Sequence, residues 1–232
     1  MNNVHSEYNR DTNPYPSFGK KYNDEKAIIS LTSWRARINT VSKTLFSLLK
    51  QCPGFHIVLV LSEEEFPKMM DELPENLKLF VYNELIEVLW VYKNYKSFKK
   101  VLFTMDKYRD VPIISADDDC IYTCNYAQIL FDEYVKTEFR FPIIFRKNSM
   151  QYMQGPCSLY PPYIFSSLIK NFNYDIINVE GDDDYYSKFF IKNKIKIHMT
   201  EYMKYPCFFA NEICPLHGSK NHPDWIKLSS IY

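Results

Sequence analysis

The feature that most constrains the fold is an alternation of short apolar runs with segments of helical periodicity. Residues 27–31 and 56–61 form two such apolar runs, which is typical of strands buried on both faces of a sheet. Between them, Ile38, Val41 and Leu45 recur at the spacing of one helix face. This β-α-β order predicts a parallel sheet that is covered by helices.

The same pattern continues along the chain. Ser62 and Glu65 have the spacing of a capping box, so we expect a helix to begin there. A third strand is predicted at residues 77–82. Further helices are predicted at residues 97–108, 126–135, 163–171 and 182–192, and further strands at residues 111–115, 142–145 and 195–199. The expected fold class is therefore α/β, with a single domain built on a mostly parallel central sheet.

Length and composition limit the remaining possibilities. The chain of 232 residues suits one domain; we expect it over residues 26–232, after a flexible polar leader at residues 1–25. Lysine plus arginine equals aspartate plus glutamate at 28 each, so no basic field would attract nucleic acid. The six cysteines include no Cys-x-x-Cys pair and no apolar stretch approaches the ~18 residues of a membrane span, so we expect a cytoplasmic protein.

Three consecutive aspartates follow the apolar run at residues 111–115. Asp117, Asp118 and Asp119 would stand at the carboxyl end of a buried strand, where open α/β sheets bind their ligands. Adjacent like charges are relieved by a cation, and carboxylate oxygens suit Mg²⁺ or Mn²⁺. A solvated acidic turn is the alternative, but apolar character resumes at Ile121. We therefore expect a metal site that binds a diphosphate.

With this triplet, the chain resembles the GT-A glycosyltransferases, in particular bacterial family-2-like enzymes of surface polysaccharide synthesis. The resemblance spans roughly residues 27–199 and is carried by the segments at residues 30–38, 94–102, 117–119, 155–162 and 180–186. It implies a Rossmann-like GT-A domain. It also implies transfer of a sugar from a nucleotide-sugar donor, with uridine the expected base, to a glycan or lipid-linked acceptor.

The resemblance assigns roles to residues of the donor site. Thr32 and Ser33 would touch the nucleotide, and Arg37 its phosphates or base. Lys100 would contact the diphosphate or nucleotide, and Gly155 would lie beside the sugars. Five glycines are too few for a glycine-rich phosphate loop, which disfavours Rossmann dehydrogenases and P-loop kinases.

The triplet matches the Asp-x-Asp motif of the family. By that match, Asp117 would lie near the ribose and Asp119 would hold the metal, Mn²⁺ or Mg²⁺. Asp118 would also contact the donor, and Asp117 would be a second metal ligand. His217 is loosely similar to a late histidine that binds metal in retaining enzymes of the glycogenin type, although a solvated surface loop explains it equally well.

A second acidic cluster begins at residue 182. The resemblance makes Asp183 the first choice, and Asp182 the second, for the general base of an inverting transferase, since an acceptor hydroxyl needs a nearby base. Acidic residues that only stabilise a helix N-terminus are the alternative. A retaining transferase of the glycogenin type, a non-catalytic nucleotide-sugar-binding domain and a metal-dependent phosphotransferase also stay open. A lipid-linked acceptor would allow peripheral membrane contact at residues 90–100.

Overall fold

The computed structural model describes residues 25–145, 153, 155–201 and 207–209. The predicted leader, apart from its last residue, and His217 lie outside these residues. The strands are β1 (Ala27–Thr32), β2 (Phe55–Ser62), β3 (Glu87–Val91), β4 (Ile113–Ser115), β5 (Cys120–Tyr122), β6 (Ile143–Ile144), β7 (Ser158–Tyr160), β8 (His198–Met199) and β9 (Cys207–Phe209). The α-helices are α1 (Val41–Leu48), α2 (Glu75–Tyr82), α3 (Lys99–Lys107), α4 (Tyr126–Lys136), α5 (Ser166–Lys170) and α6 (Asp182–Lys192).

Within the described residues, seven strands form the central sheet in the order β3-β2-β1-β4-β7-β6-β8. Strands β1 to β4 are mutually parallel, β7 is antiparallel to both of its neighbours, and β8 is parallel to β6. A separate antiparallel pair joins β5 to β9. Because β1, β2 and β4 run in one direction, their carboxyl ends meet at one edge. The mostly parallel sheet predicted from the sequence is confirmed.

Alternate residues of the central strands pack into two hydrophobic clusters, one on each face of the sheet. Ile29 and Leu31 of β1 pack with α1 and α4 on one face, whereas Ile28 packs with α3, α5 and α6 on the other. Burial on both faces explains why the sequence shows β1 as a continuous apolar run. Covering helices on each face hold the strand ends, and the residues that follow them, in a fixed arrangement.

Two predictions for the segment after β2 are wrong. Residues 77–82 belong to helix α2, in which Leu77 is the buried residue, and the third strand is β3. Pro74 precedes the helix with φ −57°, a conformation suited to a helix start. Ser62 is the last residue of β2 and no helix follows directly. Its hydroxyl donates to Glu65 Oε2 at 2.9 Å within a turn.

The other predicted elements are found with shifted ends, and α6 has the predicted bounds. Strands β5, β7 and β9 were not predicted; each has three residues, too few to show a period of two. None of the helices in the described part of the chain combines the length and apolar content that a bilayer crossing requires.

Candidate functional site

The predicted acidic residues lie at the carboxyl edge of the sheet. Strand β4 ends at Ser115, and Asp117, Asp118 and Asp119 follow in the connection to β5. Thr32 ends the neighbouring strand β1, and Ser33 follows it. The parallel pairing of β1 with β4 brings these two segments together. The edge therefore carries both the segment expected to bind the nucleotide and the segment expected to bind the metal.

Asp118 is held inside the protein by two partners. Ser33 Oγ donates to Asp118 Oδ2 at 2.6 Å, and Arg37 Nη1 donates to Asp118 Oδ1 at 2.7 Å. Burial raises the pKa of the Asp118 carboxyl, and the Arg37 charge opposes that shift. The side chain of Arg37 is 3% exposed. Both oxygens of Asp118 are thus engaged by protein donors.

Asp119 shares the same guanidinium. Its Oδ2 lies 3.0 Å from Arg37 Nη1, and its Oδ1 lies 3.8 Å from the Cys120 sulfur, which is a weak donor. Burial and the neighbouring Asp117 charge raise the pKa of the Asp119 carboxyl, whereas Arg37 opposes the shift. The pKa of Arg37 is raised because Asp118 and Asp119 outweigh the effect of burial. Arg37 therefore acts as an internal counter-ion for two of the three carboxylates.

Lys100 links the triplet to helix α6. Its Nζ donates to Asp117 Oδ1 at 2.8 Å and lies 3.3 Å from Asp182 Oδ2. The Lys100 side chain is 4% exposed, and burial alone would lower its pKa. Asp117, Asp182 and Asp183 outweigh that effect and raise the pKa of Lys100 well above its ordinary value. The two acidic clusters that are separate in sequence thus share one buried cation.

Gly155 lies between the two acidic clusters. Its backbone N–H donates to Asp183 Oδ2 at 2.7 Å. A Cβ at this position would stand 2.8 and 2.9 Å from the Asp117 carboxylate oxygens and 3.1 Å from Asp183 Oδ2. Any larger side chain would therefore displace a carboxylate. Glycine at position 155 allows the carboxylates of Asp117 and Asp183 to lie close to the same backbone position.

The charges of this site do not balance. Two cations, Arg37 and Lys100, are set among five carboxyl groups, which leaves an excess of three formal negative charges; the five are Asp117, Asp118, Asp119, Asp182 and Asp183. Among the described residues, Asp183 Oδ1 is buried and accepts no hydrogen bond. Burial and the Asp182 charge raise the pKa of the Asp183 carboxyl well above its ordinary value. A bound cation would offset the mutual repulsion of these carboxyl groups.

The donor set fits a divalent metal only in part. Carboxylate oxygens suit Mn²⁺ or Mg²⁺. In the described part of the chain, however, no three His, Cys, Asp or Glu side chains form a group that could hold a metal by themselves. A metal held by Asp117 and Asp119 would need ligands from a substrate, from water or from outside the described residues. That requirement matches Mg²⁺ sites, in which phosphates and waters complete the shell.

Most of the predicted site residues fall into two groups in the structure. Asp117, Asp182, Asp183, Lys100 and Gly155 converge, and so do Ser33, Arg37, Asp118 and Asp119. Thr32 is partly exposed at the edge, with its hydroxyl donating to Val60 O at 2.7 Å. His217 lies outside the described residues. The donor contacts predicted for Arg37 and Lys100 stay predictions, since both side chains are buried against carboxylates.

Sequence reasoning missed the residues that support the triplet. Tyr122, Tyr126 and Thr44 each bind the backbone near it through a hydroxyl. The two tyrosines stand at i and i+4 shortly after the triplet, which is a visible signal. Thr44 is distant in sequence and gave none.

No protein-family model and no curated protein sequence matches the chain. Solved structures that share its fold include glycosyltransferases. A mannosyltransferase from Pyrobaculum calidifontis, solved in complex with GDP-Man and Mn²⁺, matches with a TM-score of 0.59 and 10% identity, over 83% of this chain and 58% of that chain. Residues 1–349 of TarS from S. aureus match with a TM-score of 0.55 and 11% identity, over 80% of this chain and 60% of that chain.

The glycosyltransferase GlyE from Streptococcus pneumoniae matches with a TM-score of 0.52 and 14% identity, over 77% of this chain and 46% of that chain. The chain thus spans 46–60% of the length of these three proteins. At such identities the likeness shows a shared fold. The fold class predicted from the sequence, an α/β domain of the glycosyltransferase type with a mostly parallel sheet, is confirmed.

Proposed function

We propose that this chain is a metal-dependent glycosyltransferase that takes a sugar from a nucleotide-sugar donor. The observation that carries the proposal is the convergence of two acidic clusters on Gly155 at the carboxyl edge of a glycosyltransferase fold. One cluster, with Asp117 and Asp119, would hold Mn²⁺ or Mg²⁺. The other supplies Asp183. A solvated acidic turn would not bury Asp118, Asp119 and Asp182 beside two buried cations.

The donor would lie along the edge between β1 and β4. Thr32 and Ser33 would contact its nucleotide, for which we favour uridine. The pyrophosphate of the donor would complete the shell of the metal beside Asp117 and Asp119, together with water. When bound, the metal would neutralise the charge that develops on the departing diphosphate. A glycosyltransferase of the same fold was solved with GDP-Man and Mn²⁺, which supports this use of a divalent cation.

Asp183 is our candidate for the general base of an inverting reaction. It would accept the proton of an acceptor hydroxyl as that oxygen attacks the sugar carbon. Burial and the Asp182 charge raise its pKa, which favours proton uptake by the carboxylate. The Gly155 N–H holds one of its oxygens, and the other accepts no hydrogen bond from the described residues. Asp182 is less suited, because it lies beside Lys100. The acceptor would be a glycan or a lipid-linked sugar at the inner face of a membrane.

The direct test is turnover of nucleotide sugars. UDP- and GDP-linked hexoses are incubated with the protein and Mn²⁺, and release of the nucleoside diphosphate is measured. We expect one donor to be consumed by the wild type, and Asp119→Asn to lose at least a hundredfold in rate through loss of a metal ligand. Asp183→Ala should lower kcat by about 10²–10⁴-fold with little change in donor KM.

Asp132→Asn is the matched control, since Asp132 is an exposed carboxylate on α4, and its turnover should equal that of the wild type. Unchanged turnover in Asp119→Asn would contradict the metal role. A loss of donor affinity in Asp183→Ala, without a loss of kcat, would contradict its role as base. Binding of donor without any product would favour a non-catalytic sugar-binding domain.

A further inference from the structure

We propose that Tyr122 and Tyr126 are positioning residues for the carboxylate triplet. Their hydroxyl groups fix the backbone from which Asp117, Asp118 and Asp119 project, and thereby set the affinity for the divalent cation. The inference rests on the proposed function, because it assumes that the triplet binds metal. Neither tyrosine would touch the cation or the substrate.

The triplet begins just after the backbone pairing between β1 and β4 ends. Ser115 is the last residue of β4 and pairs with Ser30, and the N–H of Ala116 donates to Ser30 O at 2.9 Å. Beyond that bond the backbone leaves the ladder of the parallel sheet. The connection then carries three adjacent carboxylates that repel one another. Its conformation must therefore be held by contacts from other parts of the chain.

Two buried tyrosines supply such contacts. Tyr126 Oη donates to Ser115 O at 2.5 Å, and the N–H of Asp117 donates to Tyr122 Oη at 2.7 Å. The rings of Tyr122 and Tyr126 lie 4.4 Å apart between centroids and are 4% and 0% exposed. Buried aromatic rings have few alternative positions. The two hydroxyls therefore hold the backbone on each side of Ala116.

Helix α1 also holds this connection. Thr44 Oγ1 donates to Asp118 O at 2.9 Å. Ser47 Oγ donates to Thr44 O at 2.7 Å and accepts from the N–H of Tyr122 at 3.0 Å. Tyr122 is thus bound through its ring hydroxyl to the triplet and through its backbone to α1. The position of the triplet depends on this network of neutral hydroxyl groups.

The network would affect function by determining how precisely the carboxylates of the metal site are positioned. The metal site would combine oxygens of Asp117 and Asp119, whose spacing depends on the backbone between them. Loss of the Tyr122 hydroxyl would leave the part-buried Asp117 N–H without this partner, and the connection could relax to satisfy it. Groups that orient metal ligands typically change metal affinity by about 10- to 100-fold when they are removed.

The test compares Mn²⁺ binding by the full chain and its Tyr122→Phe variant. Free Mn²⁺ is measured by electron paramagnetic resonance while Mn²⁺ is titrated in, once with UDP present and once with GDP. We expect Tyr122→Phe to weaken Mn²⁺ binding about 10- to 100-fold. In turnover assays the KM for Mn²⁺ should rise by a similar factor, whereas kcat at saturating Mn²⁺ should change less than threefold. A substitution that only destabilised the fold would not raise the KM for Mn²⁺ while leaving kcat nearly unchanged.

Two further variants keep the test decisive. Tyr126→Phe removes the bond to Ser115 O and should weaken Mn²⁺ binding in the same direction, which matters if Tyr122→Phe fails to fold. Tyr134→Phe is the matched control, because Tyr134 is a buried tyrosine of the same helix whose ring packs on Phe139. Its Mn²⁺ affinity should equal that of the wild type.

The outcomes separate the inference from the proposed function. If the wild type binds Mn²⁺ and the Tyr122→Phe and Tyr126→Phe variants bind it equally well, the positioning role is overturned while the metal site stands. If all three tyrosine variants weaken binding alike, the effect belongs to the fold and the positioning role is overturned. If the wild type binds no Mn²⁺ with either nucleotide, the metal-dependent function fails, and the positioning role fails with it.

Discussion

Arg37 and Lys100 illustrate how single residues can have a structural role that a resemblance does not predict. Both stand where a family alignment expects donor contacts, yet each is buried against carboxylates. Removing one member of a buried ion pair leaves an uncompensated charge, at a cost of about 3–5 kcal/mol. These side chains therefore hold the acidic clusters in place, and any donor contact would be additional to that work.

Gly155 gives a residue-scale prediction. A methyl group at this position would stand 2.8 Å from an Asp117 oxygen and 3.1 Å from Asp183. We expect Gly155→Ala to move one of these carboxylates and to lower donor turnover by about 100-fold, since small misplacements of reacting groups are costly. The free energy of unfolding should fall by about 1–3 kcal/mol. Initial rates and urea unfolding measure the two effects.

Gly54→Ala is the control for that variant. Gly54 has φ +97° and precedes β2, far from the acidic clusters in the fold. An alanine there should cost about 1–2 kcal/mol of stability because of backbone strain, and leave turnover unchanged. Equal turnover losses in the two variants would show that the effect at position 155 is general destabilisation.

At the scale of elements, a second ionic cluster joins β2, β3 and the end of α3. Glu87, the first residue of β3, accepts from Tyr108 Oη at 2.6 Å, lies 3.4 Å from His56 Nε2 and forms an ion pair with Lys107. Burial would raise the pKa of Glu87, but His56, Lys107 and Tyr108 together lower it to about 2. This cluster stands at the amino ends of β2 and β3, away from the candidate active site.

The Glu87 cluster predicts a pH-dependent contribution to stability. Because the pKa of the folded state lies below the ordinary value of 4.5, the stabilisation is present above pH 4.5 and is lost as the pH falls toward 2. The shift corresponds to about 3 kcal/mol. We expect Glu87→Gln to destabilise the fold by up to about that amount at pH 7, and by less at pH 3.5.

Urea unfolding at the two pH values measures this difference. The Glu133→Gln variant shows, for comparison, the effect of removing an ion-paired carboxyl elsewhere. Glu133 lies on α4 and belongs to a different cluster. A gap between wild type and Glu87→Gln that stays constant from pH 7 to pH 3.5 would contradict the lowered pKa of Glu87.

Sequence patterns predicted elements that are long or buried on both faces, and missed those that depend on tertiary contacts. Strand β1 was found because it is a continuous apolar run, and helix α6 has eleven residues and the predicted bounds. Residues 77–82 contain four large apolar side chains in six positions and suggested a strand, yet they form a helix that exposes Leu79 and Tyr82. Local propensity could not decide between the two, because neighbouring segments determine which face is buried.

At the scale of the whole molecule, the sequence indicated where the candidate site lies. It did not indicate which ion pairs and hydrogen bonds join the segments of that site. The sequence placed the triplet at the carboxyl end of a buried strand, and in the structure it follows β4. The pairing of Lys100 with Asp117 and Asp182 could not be predicted, because it joins three segments that the chain brings together only through the sheet. Thr44 is equally distant from the triplet in sequence and supports it in space.

The central claim is that the carboxylates at the sheet edge bind a divalent cation together with a nucleotide diphosphate. Anomalous diffraction from a crystal soaked with Mn²⁺ and UDP or GDP tests it most directly. We predict a manganese peak within coordination distance of Asp117 and Asp119, with diphosphate oxygens on its open side. A nucleotide bound without manganese, while Asp117 and Asp119 remain paired only with Lys100 and Arg37, would contradict the claim.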